Sequence, residues 1–276
     1  MTLTVGSLFS GIGGLDLGLE RAGMKVIWQS EIDPYATRVL AKHWPEVPNH
    51  GDIKRIDWRN IVRPDVICGG YPCQPFSLAG ARKGEEDPRH LWPWVRHALS
   101  VVRPRYAILE NVRGHLSLGG PTVISEITAL GYCAEWRVIS AASVGANHRR
   151  DRVFIVAYPD GAGLERHIGS ISETRDDRRS PGSGSTLADT ESEQGHGRQH
   201  GNVFGSGGAH WIQSTIGRSR CDEWKSYWET EPDVGRVANG IPSRVDRLKC
   251  LGNAVVPQVA EVIGRLVVNH YERTTA

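Results

Sequence analysis

The sequence predicts an α/β fold built on a mostly parallel sheet. Short apolar runs such as Thr4–Phe9 and Tyr106–Leu109 have the length and composition of buried strands. Segments with helical spacing lie between such runs, as at Leu15, Leu19 and Ala22. Because strands alternate with helices along residues 1–157, we expect a Rossmann-like sheet that is covered by helices on both faces.

The other elements follow in chain order. Gly23 ends the first helix, and Pro104 marks the end of a later one, because the residue before a proline disfavours helical geometry. After the first helix the predicted elements are strands at Lys25–Gln29 and Asp65–Cys68, a helix over 91–102, the strand at Tyr106–Leu109, a helix over 123–130, a strand at Val153–Ala157 and a helix that begins at Pro257.

Composition excludes several classes of protein. The 276 residues are 39% hydrophobic and 23% charged, which is ordinary for a globular chain. No run approaches the ~18 consecutive apolar residues of a membrane span, and the first residues lack a signal peptide's charged region and cleavage site. Five cysteines without a CxxC pair argue against a disulfide scaffold or a zinc module, so we expect a reducing cytoplasm. The net charge of +2 indicates no partner by itself.

Residues 158–220 differ in texture from the rest of the chain. They contain 12 glycines and 9 serines among 63 positions and few apolar residues. This composition predicts loops, a poorly ordered insert or a small module shaped by its ligand. Regular patterning returns near Trp224, so the chain has an irregular segment between two ordered ones.

A glycine-rich turn, FSGIGG at residues 9–14, joins the first strand to the first helix. Such a turn lets a nucleotide-type cofactor approach the backbone. The dinucleotide pattern GxGxxG is not met, because Asp16 stands where the third glycine belongs. Glu31 follows the second strand, where an acid accepts hydrogen bonds from ribose hydroxyls. Asp52 lies a similar distance further on. The turn alone is also compatible with a plain strand-to-helix connection, and each acid with a surface carboxylate.

Candidate reactive groups follow the third and fourth strands. Cys73 lies in GGYPCQPFS between two prolines, at the strand end where open α/β sheets place their ligand crevice. Glu110, in ENV, would face the same crevice, and a thiolate beside an acid suggests assisted nucleophilic attack. Arg150 and Arg152 precede a later strand and lie two residues apart, so both can point to one face. Residues 78–90 are either a solvated loop or a lid that closes over substrate.

Taken together, these motifs resemble the cytosine-C5 DNA methyltransferases, especially compact phage and bacterial members. The resemblance rests on FSGIGG, Glu31, GDI, PCQPFS, ENV, the RxR before a strand, and LGNAVVPQ at 251–258, which occur in the family's order and spacing. It covers residues 1–157 and 235–276. It implies a Rossmann-like S-adenosyl-methionine-dependent methyltransferase sheet, mostly parallel with one antiparallel strand, in a discontinuous catalytic domain formed by those two ranges. Residues 158–234 would be a small, irregular target recognition region.

The resemblance also assigns roles to residues. Cys73 would add to C6 of a flipped cytosine, Glu110 would protonate or hydrogen-bond N3, and Arg152, helped by Arg150, would hold the base and the active-site loop. The residues that it implies for S-adenosyl-methionine are Phe9, Ser10, Gly11, Gly13, Glu31, Ile32, Asp52, Ile53, Pro72, Asn253 and Val255. It implies no metal.

The implied partner is double-stranded DNA rather than a membrane. The enzyme would act as a cytoplasmic monomer, and a cognate restriction endonuclease in the same system is compatible with the family. His148 and Asn147 stand where the family usually has Gln and Pro, a departure that bears on the surroundings of Arg150. Two alternatives stay open: the same chemistry on tRNA, and a catalytically silent protein that binds DNA or a partner. A nicotinamide oxidoreductase would leave PCQ and ENV unexplained.

Overall fold

The computed structural model describes residues 1–72, 91–159 and 242–275. Its sheet has six strands in the spatial order β2-β1-β3-β4-β6-β5. The strands are β1 (Thr4–Leu8), β2 (Lys25–Ser30), β3 (Val66–Gly69), β4 (Tyr106–Val112), β5 (Tyr132–Ile139) and β6 (Arg152–Pro159).

Six α-helices belong to the described part of the chain. They are α1 (Gly14–Arg21), α2 (Pro34–His43), α3 (Trp92–Val102), α4 (Gly120–Ala129), α5 (Arg244–Asn253) and α6 (Pro257–Thr275). Short 3-10 turns at Ile53–Arg55, Arg113–Leu116 and Ala141–Val144 complete the connections.

One strand, β6, runs against all the others. The pairs β1–β2, β1–β3 and β3–β4 are parallel, whereas β6 is antiparallel to both β4 and β5. The predicted mostly parallel sheet with one antiparallel strand is therefore confirmed. Since β6 reverses direction, its first residue, Arg152, lies beside the carboxyl end of β4.

Two apolar cores cover the two faces of the sheet. One contains Val5 and Leu19 with residues of α6 such as Ile263, and the other contains Trp28 and residues of α3 and α4. Helices α1 and α6 approach closely because glycines leave room at the contact. A Cβ added at Gly18 would lie 2.4 Å from the Pro257 carbonyl oxygen. The last described helix therefore packs on the first.

Three elements lie outside the predicted set: α2, β5 and α5. Helix α2 buries only Ala36 and Leu40, so its apolar periodicity is short, although Asp33 caps it and Pro34 begins it. Strand β5 lies at the edge of the sheet and is mostly half-buried, which weakens any alternation. The predicted strand at Tyr106–Leu109 continues to Val112. Glu110 therefore lies on β4 itself, rather than just after it.

The segment 244–275 is long and apolar enough, by length and composition alone, to be a candidate membrane span. It comprises two helices that are interrupted at residues 254–256. Val259, Val262, Ile263 and Val267 of α6 are buried in the protein core. Packing against α1 and the sheet thus accounts for the apolar positions of α6.

The predicted target recognition region, residues 158–234, lies outside the described residues except for Tyr158 and Pro159, which end β6. The candidate lid at 78–90 also lies outside them.

Candidate functional site

The candidate site lies at one edge of the sheet. The carboxyl ends of the parallel strands β1, β2, β3 and β4 meet there, together with the start of β6. Phe9 follows β1, Glu31 follows β2 and Gly70 follows β3, while Glu110 is near the end of β4 and Arg152 begins β6. The fold thus brings together motifs that are far apart in sequence, at the edge where open α/β sheets bind ligands.

The glycine-rich turn has a left-handed backbone at three positions. Phe9, Gly11 and Gly13 have φ angles of 52°, 56° and 83°. An added Cβ at Gly11 would meet nothing closer than the Phe9 carbonyl oxygen at 4.0 Å, whereas one at Gly13 would lie 2.4 Å from the Trp44 ring. Gly11 therefore faces open space and can admit a ligand close to the backbone, while Gly13 is packed from behind.

Glu31 ties the end of β2 to this turn. Its Oε2 accepts a hydrogen bond from the Gly11 amide at 2.8 Å, and its Oε1 accepts from the amides of Ile32 and Asp33 at 2.9 and 2.7 Å. Asn49 holds the backbone of Glu31 from the other side, accepting from its amide and donating to its carbonyl. A carboxylate has about four acceptor positions, so Glu31 retains capacity for a ligand hydroxyl.

The two isoleucines of the predicted cofactor set differ in exposure. Ile32 is 69% exposed although it lies beside the glycine-rich turn, so its side chain is available to pack on a planar ring. Ile53 is 3% exposed and belongs to the core. Asp52, next to it, caps a 3-10 turn by accepting from the Lys54 amide at 3.0 Å. The Ile53 side chain is therefore part of the core that supports this turn.

Ser10 faces inward rather than toward the open side of the turn. Its hydroxyl lies 3.0 Å from the Ser7 hydroxyl and 3.1 Å from the Ser7 carbonyl oxygen. Ser7 donates to Asp16 at 2.5 Å, and the Gln29 amide donates to the other Asp16 oxygen at 2.6 Å. Asp16 is fully buried, and burial raises its pKa to about 6. This polar network anchors the turn to β1, β2 and α1.

Glu110 occupies a crowded position between β3 and β6. Its Oε1 forms an ion pair with Nε of Arg152 at 2.9 Å. A Cβ added at Gly70 would lie 2.8 Å from Oε2 of Glu110, so the carboxyl group leaves no room for a side chain at that position. Burial raises the pKa of Glu110 to about 7, and the positive charges of Arg152 and Arg150 oppose that rise. Glu110 can therefore hold or release a proton near neutral pH.

Arg150 does not share the face of Arg152 as simple strand alternation predicts. It precedes β6 and has a left-handed backbone with a φ of 39°. Its Nη2 donates to the carbonyl oxygens of Gly252 and Ala254 at 2.6 and 2.7 Å. These residues flank Asn253, which ends α5 and is exposed. Val255 follows and packs its backbone against Gly14.

Cys73 lies outside the described residues, so its predicted role stays a prediction. The two residues before it are described. Pro72 is exposed, whereas Tyr71 is buried, and its hydroxyl lies 2.7 Å from Nε2 of the buried His115. The side-chain amide of Asn111 donates to the Tyr71 carbonyl at 3.1 Å. The chain that leads to Cys73 is therefore anchored to the end of β4 and the turn that follows.

Sequence reasoning missed several of these supporting residues. Asn49 and Asn111 hold the backbone of Glu31 and Tyr71, and the side chains of Tyr71 and His115 bind each other. Their positions carried a partial signal, since Asn49 lies just before GDI and Asn111 is the centre of ENV. The pairing of Tyr71 with His115 had none, because it joins residues 44 positions apart.

Sequence comparisons identify relatives of this chain. Residues 3–224 match the family model described as C-5 cytosine-specific DNA methylase. The Type II methyltransferase M.Eco47II of Escherichia coli is 41% identical over 164 residues, covering 56% of this chain and 39% of the relative. M.BsuFI of Bacillus subtilis is 36% identical over 167 residues, covering 59% and 41%. This chain matches about two fifths of the length of these relatives.

Two solved structures have a similar fold. They are a DNMT2 mutant from Spodoptera frugiperda, with a TM-score of 0.60 and 15% identity, and the Dnmt2 methyltransferase of S. pombe, with 0.59 and 17%. Each alignment covers 98% of this chain and at least 99% of the other. These likenesses concern the fold, whereas the family model covers most of the sequence. The chain belongs to the C-5 cytosine-specific DNA methylase family.

Proposed function

We propose that this protein is a DNA cytosine-C5 methyltransferase that takes its methyl group from S-adenosyl-methionine. The observation that carries the proposal is the ion pair between the buried Glu110 and the half-buried Arg152. It lies at the ligand-binding edge of the sheet, beside Gly70 and the segment that leads to Cys73. In a member of this family, an acid with a pKa near 7 at that position suits a reaction that protonates a base.

The residues around the glycine-rich turn fit S-adenosyl-methionine. Open space at Gly11 admits a ligand to the backbone, and Glu31 beside it has acceptor capacity for ribose hydroxyls. The exposed Ile32 suits one face of an adenine ring, and we assign Asp52 with Ile53 to the adenine edge. Phe9, Gly13, Pro72, Asn253 and Val255 complete the proposed pocket. When bound, the cofactor supplies an electrophilic methyl group on a sulfonium.

The chemistry requires activation of the cytosine ring. Carbon 5 is a weak nucleophile, and addition of the Cys73 thiolate to C6 would turn the ring into an enamine-like species. The electron pair at C5 would then take up the methyl group, the sulfur–methyl bond would break, and the electron pair of that bond would leave with S-adenosyl-homocysteine. A base afterwards removes the C5 proton, and the bond between Cys73 and C6 breaks as the C5–C6 double bond returns. We assign the nucleophile to Cys73.

Glu110 and Arg152 would act on the base itself. Thiolate addition places negative charge on the ring, and a protonated Glu110 can give its proton to N3 as that charge develops. Arg152 orients the Glu110 carboxyl through the 2.9 Å ion pair and carries further donors for the base. N3 would return this proton to the Glu110 carboxylate when Cys73 leaves and the C5–C6 double bond returns, and a pKa of about 7 suits a group that both gives and takes back a proton.

The proposed substrate is double-stranded DNA, so the target cytosine must leave the stack at a cost of a few kcal/mol. Residues 158–234 would read base edges, and residues 78–90 would close behind the flipped base. We expect the enzyme to act as a monomer in the cytoplasm. A cognate restriction endonuclease in the same system is compatible with this function and with the Type II methyltransferases among the relatives, and no stable partner is implied.

The direct test measures transfer of labelled methyl groups from S-adenosyl-methionine to unmethylated genomic DNA, with tRNA in parallel. Cys73→Ala is the catalytic control, and Cys133→Ala, a half-buried cysteine of β5, is the matched control. We expect label in DNA as 5-methylcytosine, lost in Cys73→Ala and kept in Cys133→Ala. Label in tRNA alone would move the substrate to RNA.

A second assay addresses the covalent step. DNA in which 5-fluorocytosine replaces the target cytosine should trap a complex with the wild-type protein, because fluorine at C5 cannot leave as a proton does. Cys73→Ala should trap nothing while it still binds S-adenosyl-homocysteine. An active enzyme that forms no adduct would contradict thiolate addition.

A further inference from the structure

Arg150 makes an unusual long-range contact. One nitrogen, Nη2, donates to the carbonyl oxygens of Gly252 at 2.6 Å and Ala254 at 2.7 Å, more than 100 positions away. Helix α5 ends between these two groups, at Asn253. The last carbonyls of a helix lack partners within it, and a cation is favoured at that end. Arg150 therefore satisfies groups that α5 leaves open.

The same short segment also packs closely against Gly14, the last residue of the glycine-rich turn. An added Cβ at Gly14 would lie 2.4 Å from the Val255 carbonyl oxygen and 3.1 Å from its amide nitrogen. The next turn is equally tight, since a Cβ at Gly18 would be 2.4 Å from the Pro257 carbonyl oxygen. Residues 252–257 thus lie between the Arg150 guanidinium and the start of α1, which follows the FSGIGG turn.

The two arginines before and at the start of β6 therefore do different things. Arg152 forms the ion pair with Glu110, whereas the hydrogen bonds donated by Arg150 go to the α5–α6 junction. Arg150 is near enough to Glu110 for its charge to be felt, so both arginines belong to one region. Arg150 consequently joins the proposed base site to the segment that closes the proposed cofactor pocket.

We propose that Arg150 is a positioning residue for the cofactor: it latches residues 252–255 against the glycine-rich turn and thereby sets the affinity for S-adenosyl-methionine. This inference rests on the proposed function, because the proposed function assigns the S-adenosyl-methionine pocket that the latch closes. It separates Arg150 from Arg152, whose proposed role is in the chemistry of the base. Since one nitrogen makes both hydrogen bonds, a lysine can replace the arginine in part, which a two-pronged contact to a base would not allow.

The test measures binding of S-adenosyl-homocysteine by isothermal titration calorimetry, without DNA. The variants are Arg150→Met, Arg150→Lys and Arg152→Met, and the matched control is Arg149→Met, whose side chain is exposed one position away. We expect Arg150→Met to raise Kd about tenfold or more, as expected for lost hydrogen bonds from a charged donor. Arg150→Lys should fall between it and the wild type, and the other two should stay within about twofold.

Turnover gives the distinguishing readout. At saturating S-adenosyl-methionine, Arg150→Met should recover most of the wild-type kcat with a raised KM for the cofactor, whereas Arg152→Met should not recover. Two results would overturn the latch: an unchanged Kd in Arg150→Met, or a kcat at saturation as low as that of Arg152→Met. If Arg150→Lys binds S-adenosyl-homocysteine as weakly as Arg150→Met does, the contact does not depend on a single nitrogen.

Hydrogen–deuterium exchange in the protein without ligand provides a readout that needs no activity. The Ala254 amide, which donates to the Cys250 carbonyl at 2.9 Å, reports on the end of α5. Exchange of this amide should be about ten times faster in Arg150→Met than in the wild type. In Arg150→Lys the increase should be smaller. Arg149→Met should match the wild type. Equal exchange in all four proteins would refute the latch. If the wild type binds no S-adenosyl-homocysteine, the proposed function fails, and this measurement still decides the latch.

Discussion

Glu110 and Arg152 form their ion pair across two antiparallel strands, offset by two residues in the register. Glu110 is opposite Phe154, and Arg152 is opposite Val112, so the two side chains share one face and meet diagonally. This relationship depends on the reversed direction of β6. A parallel strand at that position would bring its carboxyl end, rather than its first residue, to Glu110.

The protonation state of Glu110 should determine how the rate of methyl transfer depends on pH. The carboxyl has a pKa of about 7 because of its burial, so the fraction that can protonate a base falls above that pH. We expect single-turnover rates to decline above about pH 7 in the wild type. Glu110→Gln should be slower by about 10²–10⁴ and lack that decline. Glu46→Gln, at an exposed site, is the control; a decline that persists in Glu110→Gln would assign it elsewhere.

Space at Gly70 should matter for catalysis more than for folding. In Gly70→Ala the new Cβ would lie 2.8 Å from Oε2 of Glu110, so the carboxyl end must shift. We expect kcat to fall about tenfold or more because the acid is misplaced, with little change in thermal stability. Gly114→Ala, where an added Cβ meets nothing within 4 Å, is the matched control. Equal kcat values for the two variants would argue against a fixed position for Glu110.

Burial of Asp16 should make stability depend on pH. Its pKa rises from 3.8 to about 6 on folding, so the folded state holds the proton more tightly than the unfolded chain. Its contribution to stability is therefore complete below about pH 4 and is lost as the pH rises through 6, which amounts to about 3 kcal/mol. Urea denaturation between pH 4 and 7 should show this slope in the wild type.

The variant Asp16→Asn should remove that slope. An asparagine can still accept from Ser7, and the Gln29 amide can rotate to accept from it. Asp246→Asn, at an exposed position of α5, should keep the wild-type slope. If Asp16→Asn and wild type differ by a constant at every pH, Asp16 does not titrate in this range.

Loss of the Tyr71 hydroxyl should destabilise the segment before Cys73. Tyr71→Phe removes the 2.7 Å hydrogen bond to His115, whose side chain is 2% exposed. We expect the free energy of unfolding to fall by about 1–2 kcal/mol, measured by urea denaturation. Tyr35→Phe, on a half-buried tyrosine of α2, should change it by less than about 0.5 kcal/mol. Equal changes in the free energy of unfolding for the two variants would show that the hydrogen bond between Tyr71 and His115 makes no net contribution to stability.

The parallel part of the sheet was predictable from local pattern. Buried strands such as β1 and the first four residues of β4 are short and mainly apolar, and helices such as α1 have clear periodicity and a glycine stop. Strand β5 was not predictable, because an edge strand buries too little of either face for its pattern to alternate. Helix α5 buries no side chain, so its sequence has no apolar stripe from which a helix could be predicted.

The proposed site shows the same division. Glu110 and Arg152 could be proposed from their motifs, and the structure places them in contact. The inward direction of Ser10 and the long reach of Arg150 could not be read from spacing, because left-handed residues at Phe9 and Arg150 break the strand pattern. Side-chain direction at such positions is decided by contacts with distant segments.

The packing of α6 on α1 also determines when the fold can be completed during translation. Leu19 and its neighbours on the first helix complete their core with residues of α6, which the ribosome makes after every other described element. Until then the growing chain carries an uncovered apolar face, and the backbone of Val255 cannot reach Gly14. The nascent protein therefore gains its complete proposed methyl-donor pocket only after α6 has been made and has packed on α1.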